Sequence, residues 1–203
     1  MNKLLVTLVL SLGVAGAAHA VQGDAEAGQG KIAVCGACHG ADGNSPAPNF
    51  PKIAGQGERY LIKQLADIKE GRRVVPEMTG MLDGFDDQDL ADISAYYASQ
   101  DMTPGVADPE LAARGEEIYR GGDLATGLPA CTGCHSPTGL GNAPAGFPKL
   151  AGQHAQYTAK QLTDFREQHR VNDGDTMVMQ TIASRLSNRD IEAVSNYIQG
   201  LRP

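Results

Sequence analysis

One pentapeptide, present twice, takes up every cysteine of the chain: Cys35-Gly36-Ala37-Cys38-His39 and Cys131-Thr132-Gly133-Cys134-His135. The spacing Cys-x-x-Cys-His is the attachment signature of c-type haem. Each thiol adds to one vinyl group of the macrocycle, and two intervening residues let both sulfurs reach one edge of a flat ring. The histidine after the second cysteine is then held under the iron as its proximal ligand. A chain that must wrap two such discs has little freedom in its fold. A thioredoxin-like disulfide would follow a strand in a βαβ pattern, and no such strand is evident here. A four-cysteine zinc site would bring the two pairs together, whereas they lie far apart, each in its own repeat.

The repeat extends well beyond the cysteines. Phe50-Pro51-Lys52-Ile53-Ala54-Gly55-Gln56 matches Phe147-Pro148-Lys149-Leu150-Ala151-Gly152-Gln153 at an offset of 97, and Tyr60 and Lys63-Gln64-Leu65 match Tyr157 and Lys160-Gln161-Leu162 at the same offset. Asp89-Leu90 matches Asp190-Ile191, and Tyr96 matches Tyr197, at 101. This is a tandem duplication of one small domain rather than a many-repeat solenoid. Each copy reads as three helices. The first starts at the N-caps Asp24 and Asp108, with Pro109 suited to the first helical position. The middle helix runs near Tyr60–Glu70 and Tyr157–Glu167. The last starts at Asp86 and Ser187, each with an Asp three residues on, a capping-box variant. Its apolar residues recur every three to four positions, as Leu90, Ile93, Tyr97 and as Ile191, Val194, Ile198, which predicts packing across the first helix. The expected architecture is all-α: two tandem domains, 21–103 and 104–203, joined through the linker-like Met102–Ala107.

Residues 1–20 read as a cleaved secretory signal peptide. Lys3 precedes the apolar run Leu4–Leu10, and the stretch ends in the small-x-small site Ala18-His19-Ala20. The apolar run is too short to span a bilayer. Export agrees with haem attachment, which takes place outside the cytoplasm in bacteria, so the expected location is the periplasm. The chain carries 17 Lys and Arg against 24 Asp and Glu, and loss of the leader removes only Lys3. That acidity argues against nucleic acid as a partner. The mature chain has no Trp and few aromatics. Halves of roughly 80 to 100 residues have a marginal core, so a large apolar cofactor in each would complete it, and the haem-free chain is expected to be poorly ordered.

The repeat also selects sixth ligands for the iron. Met78 and Met179 each lie 11 residues before the matched Asp89 and Asp190. Met81 and Met177 find no methionine at the equivalent position, although they lie only two or three residues away and define a competing register. The other histidines of the mature chain, His154 and His169, have no histidine counterparts in the first repeat and read as surface or hydrogen-bonding residues. Pro51 and Pro148 are either carbonyl acceptors for the proximal imidazole N–H or rigid turns. The expected ligand sets are Cys35, Cys38, His39 and Met78 for one covalent haem c, and Cys131, Cys134, His135 and Met179 for the other. Irons closed by methionine suit electron transfer without substrate chemistry. A diheme peroxidase would need an open iron with distal acid–base groups.

With these residues in view, the chain resembles the cytochrome c4 family, the diheme periplasmic cytochromes of proteobacteria. The resemblance covers essentially the whole mature chain. It rests on both Cys-x-x-Cys-His motifs, Gly-Asn-x-Pro-Ala-Pro at Gly43–Pro48, both Phe-Pro-Lys segments, Glu77-Met78-Thr79-Gly80-Met81 and Asn172-Asp173-Gly174-Asp175-Thr176-Met177. It implies two cytochrome-c-like domains related by a pseudo-twofold axis, with the haem propionate edges facing each other. It places the axial methionines at Met78 and Met179. It also implies one-electron shuttling from a quinol–cytochrome c reductase complex towards a terminal oxidase, commonly of the cbb3 type; the chain is expected to act as a monomer. Some members associate peripherally with the membrane. The alternative reading is the cytochrome subunit of a larger dehydrogenase, such as a flavoprotein sulfide dehydrogenase.

Overall fold

A computed structural model describes residues 21–203; the predicted leader, 1–20, lies outside the described residues. Helices α1 (Ala25–Gln29), α2 (Ala33–His39), α3 (Glu58–Lys69) and α4 (Asp87–Ala98) build the first domain, with a 3-10 turn at Pro76–Met78. Helices α5 (Pro109–Gly121), α6 (Thr132–His135), α7 (Ala155–Arg166), α8 (Val178–Ala183) and α9 (Asn188–Gly200) build the second. Among the described residues the only β pairing is two isolated bridges, Asp123–Leu128 and Asn142–Phe147.

The helices start where side-chain oxygens replace missing backbone partners. Asp24 accepts from the N–H groups of Glu26 and Ala27, and Asp108 from that of Glu110, ahead of Pro109. Asp86 with Asp89, and Ser187 with Asp190, form reciprocal capping boxes. Each such cap contributes about 1 kcal/mol.

The first and last helices of each domain make its closest packing, α1 on α4 and α5 on α9. Two glycines permit it. A Cβ on Gly28 would lie 2.1 Å from the Asp92 carbonyl oxygen, and one on Gly115 would lie 2.2 Å from that of Ala193. The backbones therefore touch at both crossings. Around them sit the cores: Ile32, Leu61, Ile93 and Tyr97 in the first domain, and a larger cluster including Ile118, Tyr119, Leu186, Ile191, Val194 and Ile198 in the second.

The two domains differ in detail. In the first, α1 is short and a separate helix, α2, carries the cysteine motif. In the second, α5 is long, and the loop 122–129 precedes the motif. The extra helix α8 replaces the 3-10 turn of the first domain, so the three-helix reading of each repeat is incomplete. Pro76 has no N–H to donate, and Gly80 turns the chain at φ 76°, which stops a helix there; Val178–Ala183 contains neither residue.

The domains meet through reciprocal bonds. The Gln56 side chain donates from Nε2 to the Lys149 carbonyl (2.9 Å) and accepts from the Lys149 N–H (2.8 Å). Gln153 does the same with Lys52, at 2.7 and 2.9 Å. Such exchange is what a pseudo-twofold axis between two like domains produces. His154 Nε2 donates to the Ser45 carbonyl at 2.9 Å, and Arg59 Nη1 to that of Pro144 at 2.6 Å. The extended tether is pinned by Asn44, which accepts from the Thr103 N–H and donates to the Asp101 carbonyl, both at 2.8 Å.

Candidate haem sites

Cys35, Cys38 and His39 share one short helix, α2, and His39 is its last residue. In the second domain Cys131 precedes α6, and Cys134 and His135 lie on it. The residue after each histidine is left-handed: Gly40 at φ 81° and Ser136 at φ 66°. The chain therefore turns sharply away from the motif. It returns because the Gly43 carbonyl accepts from the N–H groups of Ile53 and Ala54, and that of Gly139 from Leu150 and Ala151. A Cβ on Gly43 would meet the Ala54 nitrogen at 2.7 Å, so the return strand can lie this close only against glycine.

That closure brings a proline carbonyl against each imidazole. His39 Nδ1 lies 2.9 Å from the Pro51 oxygen, and His135 Nδ1 lies 2.9 Å from that of Pro148. A carbonyl only accepts, so Nδ1 carries the proton and Nε2 keeps its lone pair for a metal. Burial pushes both imidazoles below their ordinary pKa, with the proline carbonyl pulling the other way. The neutral ring is the ligating form. Phe50 and Phe147 stand beside the rings, with centroids 6.4 and 6.3 Å away.

All four cysteines are half-buried, and none is paired in a disulfide. Burial raises the Cys35 thiol, and raises that of Cys131 to about 11. Reactive thiolates sit in the opposite kind of surroundings, beside cations or helix N-termini. The pairs lie in separate domains, and among the described residues they do not gather with other side chains into a metal-ion cluster. Two thiols and an imidazole with free Nε2 on one helical turn are the donor set that haem c requires, and the residues fit it twice.

Met78 closes the 3-10 turn and is half-buried, whereas Met81 is 43% exposed. Met179 on α8 is half-buried, and Met177 before it is 45% exposed. Met78 lines a cleft of about 320 Å³ with Ile68, Val74, Val75 and Leu82; neither Cys35 nor His39 reaches it. A larger cleft of about 450 Å³, between α5, α7 and α9, touches none of the expected ligands. His154, read from sequence as a surface or hydrogen-bonding residue, is the interdomain donor to Ser45. Sequence alone did not reveal the helix-crossing glycines, nor Arg59, Arg73 and Arg170, whose guanidinium groups donate across the domain interface.

The family model for cytochrome c matches this chain twice, over residues 25–101 and 112–202. The molecule is thus a two-domain, all-helical c-type cytochrome. Cytochrome c4 of Pseudomonas aeruginosa is 70% identical over 201 residues, spanning 99% of this chain and all of the relative. The crystal structure of reduced recombinant cytochrome c4 from Pseudomonas stutzeri matches with a TM-score of 0.88 at 68% identity, over 89% of this chain and all of that one. A thiosulfate dehydrogenase electron acceptor of Thiomonas intermedia is 33% identical, over 83% of this chain and 78% of its own. The chain belongs to the cytochrome c4 family and is a diheme c-type electron carrier with a covalent haem c in each domain.

Proposed function

We propose that this chain shuttles single electrons in the periplasm, from a quinol–cytochrome c reductase complex towards a cbb3-type terminal oxidase. His39 and Met78 would hold one iron, with Cys35 and Cys38 forming the thioethers; His135 and Met179 would hold the other, with Cys131 and Cys134. The domains divide at residues 103 and 104, inside the tether. The observation that carries this reading is the matched pair of sites, each with a proline-anchored imidazole and a half-buried methionine at the same repeat position.

Haem iron, when bound, supplies the one-electron couple. The chain sets its conditions. The proline carbonyls fix each imidazole and raise its basicity through Nδ1. Methionine sulfur, soft and neutral, favours the ferrous state and raises the potential. A sulfur supplied to each iron by the chain itself would compete with any substrate for that position. A leader ending in Ala18-His19-Ala20 supports the periplasm, and no described helix is long and apolar enough to cross a membrane. The test is an absorption spectrum of the purified protein, oxidised, reduced, and reduced under carbon monoxide. Two low-spin haems with the long-wavelength iron–methionine band and no carbon monoxide shift are expected. A shift in most of the reduced protein would show open iron and overturn the reading. Similarity to a thiosulfate dehydrogenase electron acceptor supports a second reading, service to a dehydrogenase. Stable co-purification with such an enzyme would select it.

A further inference from the structure

Of the six methionines, Met1 lies in the leader, and four of the other five crowd into two short segments, 78–81 and 177–179. One member of each segment, Met78 or Met179, is the half-buried thioether assigned to an iron. The other is turned out to solvent: Met81 is 43% exposed and Met177 45%. Met102, the fifth, is half-buried, with its sulfur 3.4 Å from where a Gly152 Cβ would lie. Among the described residues, Met81 and Met177 are thus the only exposed methionines.

The duplication does not account for the exposed pair. Counted back from the matched Asp89 and Asp190, Met81 corresponds to Ile182 and Met177 to Pro76, so the second thioether stands at a different register in each domain. Both registers end in the same neighbourhood. The Met81 N–H donates to the Met78 carbonyl at 3.1 Å, so one tight turn joins them. Met177 is the N-cap residue of α8, the helix that carries Met179. Its backbone is left-handed, φ 47° and ψ 38°, a conformation that Gly, Asn or Asp adopts at less steric cost. A side chain this exposed also gains little from burial. What methionine brings to such a position, and an aliphatic side chain of its size does not, is an oxidisable sulfur.

We infer that Met81 and Met177 are sacrificial sites for electrophilic two-electron oxidants of the hypochlorous acid class, converted to sulfoxide ahead of the axial thioethers. The inference rests on the iron ligation proposed above. In the reaction the sulfur lone pair attacks chlorine, the Cl–O bond breaks and hydroxide leaves. Water then displaces chloride from sulfur and gives up its protons. In sum, one thioether and one hypochlorous acid give one sulfoxide, one proton and one chloride ion; sulfur loses two electrons and chlorine gains them. The attack needs a free lone pair and a path to it. Met81 and Met177 offer both. The axial sulfurs are half-buried, and each would commit a lone pair to iron. Oxygen added to Met78 or Met179 would remove the soft donor and lower the potential. Oxygen added to Met81 or Met177 only makes an already wetted side chain more polar.

The test doses the ferric holoprotein with hypochlorous acid, up to one equivalent for each exposed methionine. Fragment-ion mass spectrometry locates the added oxygen, and the long-wavelength iron–methionine band reports the axial bonds. In wild type, oxygen is expected at Met81 and Met177 with the band retained. Met81→Leu combined with Met177→Leu keeps side-chain volume and removes the sulfur. At the same dose it is expected to lose about half or more of the band, because the oxidant then passes to the half-buried thioethers. Met102→Leu is the control and should behave as wild type. Oxygen appearing first at Met78, Met102, Met179 or the haem thioethers overturns the inference. So does oxidation of other side chains with Met81 and Met177 untouched, or equal band loss in wild type and the double variant. The wild-type oxidation map decides the order even if the double variant does not accumulate. If the untreated protein shows its iron–methionine band and the order of oxidation is reversed, the carrier reading stands and this inference alone fails. If the untreated protein lacks that band, the ligand assignment fails and takes this inference with it.

Discussion

Gly115→Ala should be far more damaging than a single methyl group suggests. The added Cβ would lie 2.2 Å from the Ala193 carbonyl oxygen and 2.6 Å from the Tyr197 Cβ. Ordinary contacts are about 3.5 Å, so α5 and α9 must part by about 1 Å along their crossing. The obstructing oxygen is backbone, so no change of rotamer relieves it. Alanine returns up to about 1 kcal/mol in helix propensity over glycine. Overpacking of a close contact costs about 1–3 kcal/mol, and a clash this deep belongs at the upper end. A net loss of about 2 kcal/mol follows, which lowers the melting temperature of a domain this size by on the order of 10 °C. The assay is thermal unfolding of the holoprotein, followed by far-ultraviolet circular dichroism and the Soret band. Gly121→Ala, in the same helix with nothing within 4 Å of its Cβ position, is the control and should melt at or slightly above wild type. If Gly115→Ala melts with its control, the two backbones do not meet as described.

Three further outcomes are expected. Met78→Ala and Met179→Ala should each open one iron, abolish about half of the long-wavelength iron–methionine absorption and lower one potential; Met81→Ala and Met177→Ala should leave the spectrum intact, and the reverse pattern would refute the ligand register. The Asp92 carboxyl is held at about 2 by Lys31, the Asp24 N–H and Gln88. Its folded value lies below the unfolded value of about 4, so its stabilisation is complete above pH 4 and is lost as pH falls towards 2; Asp92→Asn should be less stable at neutral pH and show a flatter acid limb in denaturant titrations, and an unaltered limb would count against this. Replacing Cys35 and Cys38 together by alanine should strip amide-exchange protection from α1–α4 more than from α5 and α9, since the first domain has the smaller core; equal protection in both domains would show that haem is dispensable for the fold.

Local signals carried much of the architecture. The caps at Asp24, Asp86, Asp108 and Ser187 form as the sequence implies, because a capping oxygen acts within three residues and needs no tertiary context. The Pro51 and Pro148 carbonyls turned out to be the imidazole acceptors rather than mere turns. What stayed hidden depended on how elements meet. Gly28 and Gly115 are 87 positions apart, outside the 97 and 101 offsets that revealed the repeat, and a glycine's role at a crossing exists only once two helices cross. Gln56 and Gln153 were visible as a match, but their bonds to the opposite domain require the docked pair. The arginines gave no signal, since charged residues in a polar stretch read as solvated until burial is known.

The reciprocal glutamine and arginine contacts are those that two separate copies of one domain would use to pair, and such a pair falls apart on dilution. The six-residue tether Met102–Ala107 removes that dependence. It makes closure unimolecular, at an effective concentration on the order of millimolar. The relative placement of the two redox centres is therefore the same whether the cell makes a few copies or thousands, and one electron carrier can be thinly spread without losing its second half.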